Sequence, residues 1–277
     1  MMNKKIEFLL LLLICLCTFC SCGKDEEEND EMVELSMPDI RDVGIERKLF
    51  QYVGSRYYMF HWDNYKVKNV TSNYTQSNWV MSTSPLSFKF TRSWDDFVYY
   101  ESYQDIVQND KGLIMNMNLV ITRDFITENK IENVISAYSF LYDKNDRLIE
   151  INEVTEGNKI ITKLEWNEDG ALNSCIKYSG DEILLEYHYY YDGKINNDGL
   201  YVELQMPEFG DAPFLYLSGL FGRASSMLPY AVVLVEDGSE STYELNYDIN
   251  EKGNLQQIFT TLYYDGEEVL SYENVYE

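Results

Sequence analysis

The side chains of this 277-residue chain whose types could do chemistry are two histidines, one cysteine in the body of the chain, a tryptophan beside two aspartates, and two oxygen-rich turns. His61 and His188 each stand inside a run of aromatics, which reads as a structural setting. Cys175 would need a histidine partner and an electropositive neighbourhood to act as a nucleophile. Trp94, Asp95 and Asp96 form the cluster best suited to a sugar: an indole stacks on a pyranose ring, and two carboxylates at a set separation could hydrolyse a glycosidic bond. The same residues also read as a turn ahead of a strand opening at Phe97. Asp143, Asn145 and Asp146, and again Asn167, Glu168 and Asp169, gather oxygens on tight turns, but neither spacing is that of a calcium loop. Turn chemistry accounts for both, and no metal and no cofactor is expected. No G-x-S-x-G, H-E-x-x-H or phosphate-cradling glycine loop occurs in the chain.

The charge balance sets limits on partners. Lys and Arg number 22 against 47 Asp and Glu, a formal net charge of -25. A nucleic acid or an anionic lipid surface needs cations that this chain lacks, so no nucleic-acid role is expected.

At the N-terminus, Lys4 and Lys5 precede an apolar run over residues 8–17, too short to span a bilayer and suited to a signal-peptide core. Ser21 then stands directly before Cys22. This arrangement resembles the lipobox of bacterial lipoproteins, in which the cysteine thiol is acylated and becomes the new N-terminus. Phe19 and Cys20 depart from the usual Leu and Ala or Ser of that box, and the bulk of Phe19 disfavours Cys20 as the acylated residue. The following Lys24, Asp25, Glu26, Glu27 and Glu28 resemble the acidic export signal of Bacteroidetes-type surface lipoproteins; the same charges also make a solvated, self-repelling tether. The resemblance implies a signal peptide over 1–21, a tether over 22–44, and an outer-membrane protein, lipid-anchored and facing the cell exterior, with the periplasmic face as the alternative. Of the five cysteines, four (15, 17, 20 and 22) lie in that N-terminal stretch. Only Cys175 remains in the body, so an internal disulfide is not expected.

From residue 45 to 277 the dominant signal is alternation. Short runs rich in aromatic and β-branched residues, split by Asn, Asp, Gly, Ser or Pro, read as strands joined by turns. Sustained 3.6-residue periodicity is missing, which argues against a helical bundle or a βαβ fold. The second half repeats a unit. Tyr138-x-Phe140-x-Tyr142-Asp143, Leu164-x-Trp166-Asn167, Tyr187-x-Tyr189-x-Tyr191-Asp192, Tyr243-x-Leu245-x-Tyr247-Asp248 and Leu262-x-Tyr264-Asp265 each put large residues on one strand face and then begin a turn at Asp or Asn. In this alignment Cys175 takes the place of Ile151 and Ile258, which predicts a buried, inert thiol. Leu148 and Ile151 lie three apart, as do Leu255 and Ile258, so a bulge after the turn or partial cover on both faces is required.

The repeat resembles the YD-type hairpins of large secreted shell proteins, and more closely those of uncharacterised Bacteroidetes lipoprotein families built as a curved, barrel-like sheet; the likeness covers about 133–277. The expected fold is a single all-β domain: an antiparallel meander of hairpins forming one large curved sheet or partial barrel. An insertion over about 206–229 carries one short helix near 213–222, read as a plug for an open end of the sheet. Three functions fit this architecture. The first is a non-catalytic surface lipoprotein, attached to the membrane by its anchor and binding a glycan, peptide or envelope protein on an aromatic-rich concave face. The alternatives are a structural or assembly accessory of an outer-membrane complex and a carboxylate-based glycoside hydrolase. Exposed Trp and Tyr on the concave face would favour the first, and a face filled by its own side chains the second.

Overall fold

The alternation of large and polar residues builds strands throughout. The computed structural model describes residues 36–53, 57–72, 77–83, 86–93, 97–207 and 213–277. Its strands are β1 (Gln51–Val53), β2 (Tyr57–Asp63), β3 (Lys66–Thr71), β4 (Ser77–Thr83), β5 (Leu86–Ser93), β6 (Phe97–Gln108), β7 (Ile114–Phe125) and β8 (Lys130–Tyr142). They continue as β9 (Leu148–Thr155), β10 (Asn158–Trp166), β11 (Leu172–Ser179), β12 (Glu182–Ile195), β13 (Met227–Glu236), β14 (Ser239–Ile249), β15 (Leu255–Tyr264) and β16 (Glu267–Tyr276). All 16 belong to one antiparallel sheet in which β4 to β16 follow chain order and β16 then pairs with β1, followed by β2 and β3. The sheet is a nearly closed, barrel-like meander whose two edges are the consecutive strands β3 and β4.

Period-two alternation divides each strand into an inner and an outer face. On β8, Ser136, Tyr138 and Phe140 are buried inside, while Ile131, Ile135 and Leu141 are exposed outside. The inner face continues through Tyr58 and Phe60, Phe88 and Phe90, Leu119, Ile151, Leu164, Cys175, Tyr189, Val232, Leu245, Ile258 and Tyr276, all buried.

The two ends of the barrel use different turns. At one end, two-residue links at Glu156-Gly157, Asp237-Gly238 and Asp265-Gly266 have positive φ at both positions, the geometry that matches strand twist in tight hairpins. At the other end a five-residue turn recurs four times, opening at Asn109, Asp143, Asn167 and Asn250. In each, the N–H of the opening residue donates to the carbonyl four residues on, and its carbonyl accepts from the N–H three residues on. Its side-chain oxygen also accepts the N–H four residues on, at 2.9–3.0 Å. The residue three after the opener (Gly112, Asp146, Gly170 or Gly253) takes positive φ in every copy. The repeat therefore begins earlier than residue 133, at Asn109, and its last member opens at Asn250. Asp248 is instead a ladder residue paired with Gln257.

A bulge follows these turns and resolves the three-residue spacing. Leu141 pairs with Glu150 but Tyr142 pairs with Leu148, so one residue is skipped and both Leu148 and Ile151 face inward. The same shift brings Leu172 and Cys175, Leu255 and Ile258, and Ile114 and Met117 onto the inner face. The aromatic that ends each outgoing strand reaches back to the preceding returning strand. Tyr142 Oη donates to the Ile114 carbonyl and Trp166 Nε1 to that of Leu148, both at 2.8 Å. Tyr191 and Tyr247 donate to the carbonyls of Leu172 and Pro229, both at 2.5 Å. Beyond the last hairpin, Arg47 supplies the corresponding donor to the Leu255 carbonyl.

The five-residue-turn end is plugged by described stretches without strands, residues 36–50, 196–207 and 213–226. Ile40, Val43, Ile45, Leu49, Leu200, Tyr201, Phe214, Leu217, Leu220 and Phe221 are all buried there. The packed chain thus takes in Met37, Ile40 and Val43, residues that the composition shift near 45 assigns to the tether. The helix is one turn, α1 (Phe214–Leu217), shorter than the 213–222 signature, because Gly219 and Gly222 turn the chain with φ of +80° and +81°. Phe214 meets Tyr58 and Phe88 with ring centroids 5.5 and 5.4 Å away, and Phe221 meets Phe140 at 4.9 Å. Each such buried ring is worth roughly 1.5–3 kcal/mol.

Backbone contacts then fix the plug. Arg223 N–H donates to the Asp146 carbonyl, Ile114 N–H to that of Leu220, and Glu46 N–H to that of Asp198. A Cβ on Gly222 would lie 2.0 Å from the Asp146 carbonyl oxygen, and one on Gly199 1.8 Å from that of Gly44, so glycine is required at both sites. Asp198, almost fully buried, accepts the Leu255 N–H at 2.7 Å and faces Arg47 at 3.4 Å. Burial raises the Asp198 carboxyl against the opposing pull of Arg47 and the Leu255 N–H.

Candidate functional site

The residues singled out from sequence scatter rather than converge. Cys22, Lys24, Asp25, Glu26, Glu27, Glu28, Trp94, Asp95 and Asp96 lie outside the described residues. His61 and His188 are not core histidines: alternation turns Phe60 and Trp62, Tyr187 and Tyr189 inward and leaves both imidazoles on the outer face, His188 resting 3.2 Å from Glu186. Cys175 is buried beside Leu164 and Tyr187, and desolvation pushes its thiol up to about 12. The side-chain oxygens of Asp143 and Asn167 are engaged by their own turns, and those of Asp146 by Lys111 at 2.7 and 2.8 Å. Among the described residues no cluster of three His, Cys, Asp or Glu side chains could hold a metal.

What the fold does bring together is an inner face that changes character along the barrel. Toward the plug it is filled. Toward the two-residue-turn end, Tyr99, Tyr187, Tyr243 and Tyr272 are only partly buried, and rim residues Tyr264 and Leu270 are 45% and 53% exposed. On this side the plug presents a 3-10 turn, Glu203–Gln205, inside the ring of strands. Tyr189 Oη donates to the Leu204 carbonyl, and Gln205 Nε2 to Tyr191 Oη at 3.2 Å. Glu203 faces the phenols of Tyr52, Tyr272 and Tyr276, all raised chiefly by burial and further by its charge.

Luminal polar groups fall into two sets. On the β6–β9 side they are engaged: the buried Glu101 accepts from Tyr99 at 2.6 Å and Tyr103 at 2.7 Å, and Glu153 accepts from Thr155 at 3.1 Å. Under the plug they are not. Tyr52 Oη, Asn274 Oδ1, Glu203 Oε2 and Gln205 Oε1 are shielded from solvent and make no hydrogen bond among the described residues. Buried polar atoms are nearly always paired, so these four atoms are an exception within the described interior. None of these residues stood out in the sequence, because Tyr52, Glu203 and Asn274 share no motif and meet only through closure of β16 on β1.

A second concavity of about 560 Å³ opens on the outside of the plugged end, between the turns at 144–147 and 168–170 and the plug residues Arg223 and Ser226. Arg147 is held by Asp143 and lies over the Trp166 ring at 5.4 Å. Lys144 and Arg223 make no ion pair among the described residues, and Glu168 and Asp169 stand opposite them, so the groove carries both signs.

The outer face is polar and charged. Lys163 stands opposite Glu150 on β9 and Ile176 on β11, which in turn pairs with Glu186. Glu244 lies between Ala231 and Thr261, and Glu273 opposite Phe259. Apolar residues such as Ile135, Val154 and Phe259 are interspersed among them.

No protein-family model and no curated protein sequence matches the chain. Among solved structures it is similar to a porin-like protein from Bacteroides uniformis, with a TM-score of 0.53 and 13% identity over 82% of this chain and 93% of that one. A porin-like protein from Bacteroides vulgatus gives a TM-score of 0.50 and 13% identity over 83% and 97%. At that identity the likeness is one of fold.

Proposed function

We propose that this chain is an envelope protein that stands in water beside the outer membrane on a lipid attached to Cys22, and that it binds rather than transforms a ligand in the partly open half of its lumen. The observation that carries this reading is the inversion of the barrel. A membrane-spanning barrel is apolar outside and polar within, and a Lys or Arg on its lipid face near the midplane costs about 2–4 kcal/mol. Here the outer face carries Lys163, Glu186, Glu244 and Glu273, while the inner face is built mainly of apolar and aromatic residues and is plugged. The first described residues lie at the plugged end, where Ser36 and Gln108 bond each other, and leave the partly open end uncovered. Half-buried Tyr99, Tyr187, Tyr243 and Tyr272 supply flat apolar surface with a polar tip, which suits a glycan or a peptide. The alternative, an assembly accessory docking through the mixed-charge groove, is favoured by the uncommitted Lys144 and Arg223.

The test is a panel of envelope glycans and peptides presented to the full chain in detergent. Binding that falls in Tyr243→Ala and Tyr272→Ala supports the luminal site. Binding lost instead in Lys144→Ala and Arg223→Ala would move it to the groove. The anchor is tested separately: Cys22→Ala should take up no labelled fatty acid, and undiminished labelling would remove that part of the proposal. Alanines at residues 25–28 should leave lipidation intact and lower accessibility to external protease; unchanged accessibility would remove the surface orientation.

A further inference from the structure

The floor of the lumen holds a carboxylate without a counter-ion. Glu203 makes no ion pair among the described residues, and its Oε2 is shielded and unbonded. Two more unbonded ends belong to the strands around it: the Tyr52 hydroxyl and the Asn274 carboxamide oxygen, on residues 0% and 2% exposed. Their placement follows from strand geometry. Asn274 shares the inner face of β16 with Tyr272 and Tyr276, two residues to either side. Tyr52 pairs with Tyr276 across β1 and β16, the two rings meeting edge-on at 5.1 Å. Tyr276 is engaged with the plug, its hydroxyl facing the Glu203 backbone and lying 3.4 Å from the Tyr201 carbonyl. Tyr52 has no such partner among the described residues.

The chemistry of this set is weighted toward acceptors. A carboxylate oxygen and a carboxamide oxygen accept only, while a phenol accepts as well as donates and offers its ring face. A neutral acceptor ligand would leave the Glu203 and Asn274 oxygens unsatisfied, and an anion would be repelled. A primary ammonium brings three donors and no acceptor, cancels the charge of Glu203, and is attracted by the faces of tyrosine rings. Toward the partly open end the inner face continues through Leu245, Tyr243, Leu262 and Leu270, an apolar lane for an unbranched stem. As whole residues Glu203 and Tyr272 are only partly buried, while Glu203 Oε2 itself is shielded. The net charge of -25 raises the local concentration of cations around the whole molecule.

We propose that the lumen receives the ammonium end of an alkylamine at Glu203, with Asn274 and Tyr52 as further acceptors and Tyr272 beside the stem. This rests on the luminal binding reading above and names its ligand class. A free diamine and a lysine side chain share the chemistry, so 1,5-diaminopentane and Nα-acetyl-lysine amide are the two arms that tell the sources apart.

The experiment is calorimetric titration of the full chain in detergent at low salt, with n-butylammonium as probe and n-butanol as its neutral isostere. Glu203→Gln should lower the affinity for n-butylammonium at least tenfold, and n-butanol should bind at least tenfold more weakly than the amine. Glu240→Gln, which removes an outward carboxylate on β14, should change nothing and so accounts for non-specific attraction to the acidic surface. Should Glu203→Gln misfold by far-ultraviolet dichroism, Tyr272→Ala, at the partly exposed side of the cluster, carries the same expectation. Equal affinity in wild type and Glu203→Gln, equal binding of the alcohol, or a crystal soaked in the amine that shows only water bridging Tyr52, Glu203 and Asn274 would each overturn the inference. A glycan or peptide whose binding depends on Tyr243 but not on Glu203 would overturn it while leaving the luminal site standing.

Discussion

Removing one oxygen atom tests how successive hairpins are locked together. In Tyr142→Phe the ring stays, and only the hydroxyl that donates to the Ile114 carbonyl at 2.8 Å is lost. Burial holds the Tyr142 phenol well above its ordinary pKa, so water does not stand ready to replace the bond. A buried carbonyl left without its donor costs about 1–3 kcal/mol. For a domain of this size, 1 kcal/mol moves the melting temperature by about 2–4 °C, so a mid-range loss lowers it by about 4–8 °C. Tyr100→Phe is the matched control: Tyr100 faces outward on β6, is 39% exposed, and makes no hydrogen bond among the described residues. Its loss should stay within about 0.5 kcal/mol. Calorimetric melting of the two variants side by side is the assay. Equal melting temperatures would refute the idea that the aromatic tip secures the returning strand of the preceding hairpin.

The remaining expectations concern the plug, the thiol and one turn. Gly222→Ala should destabilise by more than about 2 kcal/mol, read from urea unfolding, because the new methyl collides with the Asp146 carbonyl and the residue must hold φ of +81°. Cys175, its thiol pushed up to about 12 by burial, should resist a maleimide in the native protein and react after unfolding. Cys175→Val should cost under about 1.5 kcal/mol, as volume-conserving core exchanges do, and Cys175→Asp far more. Burial works to raise the Asp143 carboxyl, but the Arg147 guanidinium and the N–H groups of Arg147 and Asn145 outweigh it and hold the pKa below the usual range. A depressed carboxylate contributes stability above its unfolded pKa and loses it as pH falls through the folded value. Melting followed from pH 6 downward should therefore show a smaller acid-side loss in Asp143→Asn than in wild type; parallel curves would contradict the assignment.

Local rules made the strands and most turns legible. Tyr138, Phe140 and Tyr142 announce an inward face by spacing alone, and Asp143 and Asn167 announce turns because their short side chains bond the backbone a few residues on. The three-residue spacing of Leu148 and Ile151 already required a bulge, and the register shift at Tyr142 supplies it. The first copy of the turn lacks the aromatic signal because Gln108 precedes Asn109; the Asn109-x-x-Gly112 spacing is the signal that finds it. The same spacing, Asn250-x-x-Gly253, corrects the turn placed at Asp248. The plug and the luminal cluster had no such signature. Val43 and Ile45 are buried because the chain beside them is Gly219 and Gly199, from the far side of the sequence, and Glu203 approaches Tyr52 only once β16 pairs with β1.

The measurement that bears most directly on the inverted barrel is cysteine accessibility in the full chain, in a Cys175→Val background, within outer-membrane vesicles. Single cysteines at Lys163, Glu186 and Glu244 report the outer face, and at Tyr138 and Leu164 the inner one. A charged, membrane-impermeant maleimide should label the first three rapidly and spare the last two. Protection of the outer positions by lipid together with rapid labelling within the lumen would show a membrane-spanning pore and contradict the account.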